Sequence, residues 1–171
     1  MRKTLCTLMA LSCAATLAAC GSSDSSRDAG TTENNTIYLI SSKKSDFDNI
    51  DHWLTDMWNT LICDIPSYIK YGKDCADREY DIDYAISELQ TAYKHKPEYD
   101  EFIHSLDNSI EVNERLIKAW DKMSEQLDIL YGKITTEKPR PKDESYEYNT
   151  DLYRQYYESF QDIEREIEKS T

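Results

Sequence analysis

The chain has 171 residues, with 33 Asp and Glu against 20 Lys and Arg and a formal charge of −13 at pH 7. Acidity on this scale repels nucleic acid and anionic lipid headgroups, and four glycines leave little from which to build a phosphate-binding loop. The length supports one domain with a real core, and neither a second domain nor an internal repeat is evident.

The chain opens with Arg2 and Lys3, runs through the apolar stretch Leu5 to Ala19 and reaches Cys20-Gly21, the layout of a signal peptide over residues 1–19. The apolar run falls short of the about 20 residues that a membrane-spanning helix needs. Leu17-Ala18-Ala19-Cys20 resembles the lipobox of bacterial lipoproteins. The resemblance covers only this leader, and it implies cleavage before Cys20, lipidation of Cys20 and attachment to the membrane through that lipid. With Gly21 in place of Asp after the cysteine, it further implies the outer membrane, facing the periplasm, with exposure at the cell surface left open. Loss of residues 1–19 removes Arg2 and Lys3 and no acid, taking the charge from −13 to −15.

Cys6 and Cys13 leave with the leader, so Cys63 and Cys75 remain as the pair able to form a disulfide in an oxidising envelope. Closing that short loop would contribute about 3 kcal/mol. The alternative is two unpaired thiols. Their spacing does not fit a Cys-x-x-Cys redox or zinc motif.

Residues 20–35 form the lipidated N-terminus and a polar tether with almost nothing apolar to offset the entropy of ordering. Residues 36–171 are the domain. Thr36 to Ser41 is β-prone but lacks a strand partner, so an extended arm is expected. Ser45 can cap a helix from Asp46, with Phe47, Ile50, Leu54, Met57 and Leu61 repeating at three and four and Trp53 and Trp58 widening the apolar face. Pro66 ends or kinks this helix and Gly72 stops it. A second helix is predicted from about Asp77 to His95, with Ile82, Ile86, Leu89 and Tyr93 inward.

The longest periodic stretch runs from Pro97 to Ile134, reading as one helix about 55 Å long. Pro139 and Pro141 bar the helix from continuing past it, and a last helix is expected from Asp143 with Tyr146, Asn149, Tyr153, Tyr156, Phe160, Ile163 and Ile167 inward. These elements predict an all-α fold, an antiparallel four-helix bundle around one long helix and preceded by a flexible tether. A break near Asn108-Ser109 would make five helices.

Catalytic constellations are weak. Glu101 and His104 form one Glu-x-x-His without the second copy that di-metal bundles use, and both fall off the predicted core face. His52 and His95 lack metal-ligand spacing. No Gly-x-Ser-x-Gly elbow occurs, and Asp81 and Asp83 do not begin a calcium loop. Neither an enzyme nor a bound cofactor or metal is expected.

Asn113 and Asn149 occupy apparent core positions, where they could face each other and set register or sit at local exposure. Tyr148 and Tyr157 fall off the core face, among Asp143, Glu144, Glu147 and Glu158, a composition suited to binding protein. Ordinary half-exposed packing is the competing account. These features predict a lipid-anchored protein-binding module, in its sharpest form an inhibitor or immunity protein against a cationic toxin or hydrolase. The alternative is an envelope scaffold that self-associates through the long helix. A small-molecule carrier would need a cavity lined by Trp53, Trp58 or Trp120, and no small-molecule substrate is predicted.

Overall fold

The computed structural model describes residues 44–169, so the leader, Cys20, the tether and the 36–41 run lie outside the described residues. Those residues form an all-α bundle. Helix α1 (Lys44–Trp58) passes through a π-helical stretch (Asn59–Asp64) directly into α2 (Ile65–Tyr71). Then come α3 (Ile82–Tyr93), α4 (Lys96–His104), α5 (Glu111–Thr136) and α6 (Asp151–Lys169). Helix α1 is already formed at Lys44, so Ser45 lies inside it and does not cap it.

Pro66 explains the first departure from regularity. It has no N–H to donate to the carbonyls of Leu61 or Ile62, five and four residues earlier, and it sits in the first turn of α2, where a missing donor is tolerated. The Ile62 carbonyl instead accepts from Arg154 Nη2 of α6 at 3.0 Å. The same guanidinium lies over the Trp58 ring, 5.1 Å from its centroid, and its Nε donates to Thr150 Oγ1 at 3.2 Å. Gly72 then ends α2 in the left-handed region, at φ 78°, with its N–H donating to the Tyr68 carbonyl at 2.8 Å.

Between Gly72 and α3 the chain folds around Asp74, whose carboxylate is 5% exposed and accepts from the N–H groups of Ala76 and Arg78 and from Arg78 Nε. One isolated antiparallel bridge, Lys73 to Glu79, closes this loop. Helix α3 therefore starts later than Asp77, at Ile82, capped by Asp81, which accepts from the N–H groups of Asp83 and Tyr84.

The stretch from Pro97 to Ile134 is two helices, not one. Asp107 Oδ1 accepts from the Ser109 N–H at 3.0 Å and the Ser109 hydroxyl at 2.7 Å, local bonds that compete with helix continuation. Asn113 is buried, and its Nδ2 donates to the Asp107 carbonyl at 3.0 Å. Asn149 is exposed and accepts from the Asp151 N–H at the start of α6, so the two asparagines do not pair. The last helix likewise begins at Asp151 and not near Asp143.

Indole N–H groups fasten the helices together. Trp53 Nε1 donates to the Ala92 carbonyl at 2.8 Å, joining α1 to α3. Trp120 Nε1 on α5 donates to Asp100 Oδ1 on α4 at 2.8 Å, while Asp100 Oδ2 accepts from Lys96 at 2.9 Å. Both tryptophans are buried and belong to one core with Leu54, Met57, Leu116, Met123, Leu127, Tyr153 and Phe160. Helices α5 and α6 run antiparallel, marked at one end by a bidentate Arg115–Glu166 pair at 2.9 Å and in the middle by Trp120 against Phe160 at 5.6 Å.

Replacing Asp100 with Ala leaves the Trp120 N–H buried without its acceptor, an expected cost of about 1–3 kcal/mol in urea unfolding followed by tryptophan fluorescence. Asp100→Asn retains an acceptor and loses less. Equal losses in the two variants would contradict this role.

Candidate functional site

The α1–α6 junction brings the most chemistry to the surface. Helical spacing on α6 stacks Tyr153 beneath Tyr157, with ring centroids 5.9 Å apart. Trp58 from α1 covers both, 4.7 Å from Tyr157 and 6.3 Å from Tyr153. The Tyr157 hydroxyl accepts from Gln161 Nε2 at 2.9 Å. Burial raises its pKa, and the carboxylates of Asp51 on α1 and Glu164 on α6 raise it further. Acidic groups from both helices thus frame a half-buried tyrosine, while Arg154 is engaged by the Ile62 carbonyl and the Trp58 face.

The six residues expected at an interface divide between two places. Tyr157 lies at this junction, and exposed Glu158 follows it on α6. Exposed Glu144 and Glu147, half-buried Asp143 and Tyr148 lie on the connection between α5 and α6. Asp143 is a turn residue there, its Oδ1 accepting from the Ser145 N–H at 3.1 Å. Tyr148 is not a helical surface residue: the connection turns its ring onto the core, with Tyr146 6.3 Å away. Burial, followed by the phenols of Tyr146, Tyr80 and Tyr153, pushes its hydroxyl pKa far up, and burial does the same to Tyr153. Neither hydroxyl has a hydrogen-bond partner among the described residues.

Two exposed aromatics stand outside the residues expected from the sequence. Tyr84, 64% exposed, lies off the Ile82, Ile86 and Leu89 stripe, and Tyr71, 57% exposed, immediately precedes Gly72. The α5–α6 connection crosses between them, with Lys138 paired to Asp83 and the Lys142 N–H donating to the Tyr68 carbonyl at 3.4 Å. Their positions off the apolar periodicity are the available signal. Asp51 carries none, because its proximity to Tyr157 depends on how α1 and α6 dock, whereas Glu164 lies seven residues after Tyr157 on the same face of α6.

His104 uses Nδ1 toward the Asp100 carbonyl at 2.7 Å and Nε2 toward Asp121 Oδ1 at 2.9 Å, and Glu101 is exposed. Two acceptors favour the imidazolium, whose pKa is raised first by the Asp100 carbonyl. Among the described residues no group of three His, Cys, Asp or Glu could hold a metal ion. Cys63 and Cys75 are not joined in the structure. No protein-family profile, curated protein or solved structure matches the chain.

Tyr153→Phe removes a buried hydroxyl that bonds to nothing described, so thermal unfolding is expected to be unchanged or stabilised by up to about 1 kcal/mol. Tyr157→Phe, which gives up the Gln161 bond, is expected to cost about 0.5–1.5 kcal/mol. A larger loss for Tyr153→Phe than for Tyr157→Phe would contradict the assignment.

Proposed function

We propose that this chain is a non-enzymatic, lipid-anchored envelope protein that binds a basic protein partner at the α1–α6 junction. The observation that carries this is the half-buried Tyr157, stacked on Trp58 and framed by acids from both helices. Tyrosine and tryptophan at a partly desolvated centre with a charged rim are the parts from which protein-binding hot spots are made. The chain's net charge would steer a cationic partner toward it and make association salt-sensitive. Lipidation at Cys20 would hold the domain at the outer membrane, facing the periplasm. In its most specific form the function is that of an inhibitor or immunity protein against a cationic toxin or hydrolase.

Asp51, Glu158 and Glu164 replace Tyr148 and the connection acids as the residues best placed to meet the partner. The alternative is an envelope scaffold that self-associates through its long helix, which would be α5 (Glu111–Thr136).

The test is capture from envelope extract with the lipidated full chain in detergent as bait. A basic protein retained at low salt, released at high salt and lost with Tyr157→Ala plus Glu158→Lys, but kept with Tyr84→Ala, is the expected result. Retention that ignores both salt and the junction substitutions would overturn the proposal.

A further inference from the structure

The two cysteines left unjoined by the structure are held beside one another by bonds from their neighbours. Cys63 is half-buried near the end of the π-helical stretch, and Cys75 is exposed in the loop after Gly72. The Cys75 N–H donates to Asp64 Oδ1 at 3.1 Å, and Ser67 Oγ donates to the Asp74 carbonyl at 3.0 Å. Asp64 directly follows Cys63 and Asp74 directly precedes Cys75, so the clamps engage both cysteines' immediate neighbours. Asp74 makes the loop itself rigid by accepting from Ala76 and Arg78. A disulfide needs Cα atoms roughly 4.4–6.8 Å apart, and beside these clamps the Cys63 side chain lies near enough to Cys75 for its charge to act on the Cys75 thiol.

We infer that Cys63 and Cys75 are a dithiol–disulfide pair, whose oxidation staples the 73–80 loop to the π-helical stretch. The exposed Cys75 reacts first. Its thiolate attacks one sulfur of an external disulfide, forming a mixed disulfide and releasing one external thiolate. The Cys63 thiolate then attacks the Cys75 sulfur, forming the Cys63–Cys75 bond and expelling the second external thiolate. Two cysteine thiols are oxidised, one external disulfide is reduced to two thiols, and the two cysteine protons pass to the departing thiolates.

The surroundings of Cys75 set the rate. Asp64, Cys63, Asp74, Arg78 and Tyr80 face it, and the hydrogen bond to Asp64 together with burial pushes its thiol pKa up to about 11. The attacking thiolate is therefore scarce at neutral pH, and exchange should accelerate about tenfold per pH unit up to about pH 9. Such a pair is slow to oxidise but closes once the first bond forms. Oxidation of the pair does not depend on the proposed partner: it needs only the loop geometry and an external disulfide.

Oxidised glutathione serves as the probe, added to the reduced, lipidated full chain in detergent, with the products mapped by non-reducing peptide mass spectrometry. The expected product is a monomer whose peptides around Cys63 and Cys75 are joined, about 2 Da lighter than the two reduced peptides together. Thermal unfolding should rise by about 10 °C on oxidation. Cys63→Ser should stop at the glutathione adduct on Cys75. Adducts that persist on the unsubstituted chain, dimers linked through Cys75, or reduced peptides after prolonged exposure at about pH 9 would each overturn the inference.

Discussion

A backbone carbonyl without its usual donor lies behind the arrangement of this bundle. Where the π-helical stretch gives way to α2, Pro66 offers no N–H to the carbonyls of Leu61 and Ile62, five and four residues behind it, and a buried carbonyl left unpaired costs about 1–3 kcal/mol. The chain meets that demand from the far end of the sequence, with Arg154 of α6 reaching across to Ile62. Because the guanidinium also lies on Trp58, satisfying one carbonyl fixes how α6 sits on α1. The surface that results contains Tyr157 with Asp51 of α1 and Glu164 of α6. A local backbone defect is thereby linked to the site proposed to bind a partner.

The other fastenings obey the same logic of polar groups aimed at specific partners inside an apolar core. Trp53 and Trp120 each bury a large ring, yet each directs its single N–H to one acceptor, Ala92 in one case and Asp100 in the other. Asn113 holds the turn between α4 and α5 through the Asp107 carbonyl. Apolar area drives such helices together without choosing among rotations, whereas these bonds are directional and choose one. Tyr93 stacked flat on Tyr131 at 3.7 Å adds a further contact between α3 and α5.

Much of this is legible from periodicity, and the exceptions have identifiable causes. Along the repeat from Pro97 to Ile134, Ile103, Leu106, Ile110, Trp120, Leu127 and Ile134 are buried, while Tyr99, Ile117 and Tyr131 are half-buried against the core. The repeat does not reveal the break after His104, because the turn delivers Leu106 and Ile110 to the same core that a continuous helix would have reached. Asp107-Asn108-Ser109 is turn-forming chemistry, and there it prevails over helical continuity. The start of α6 differs from the expected one for a related reason: Tyr146 and Tyr148 are core-contacting aromatics carried by an extended connection. The site is only half legible. Tyr157 and Glu158 fall off the apolar repeat of α6 and Glu164 follows Tyr157 by two helical turns, but Asp51 belongs to α1, and only docking of the helices brings it to Tyr157.

The most direct test of this account is a double-mutant cycle between Pro66 and Arg154, read by urea unfolding. In the native background Arg154→Ala should cost about 1–3 kcal/mol, since it strands the Ile62 carbonyl. In the Pro66→Ala background an N–H returns four residues after Ile62, and the cost of Arg154→Ala should fall by about 1 kcal/mol or more. An unchanged cost in the two backgrounds would show that Arg154 acts through Trp58 alone and that the proline-freed carbonyl does not organise the junction.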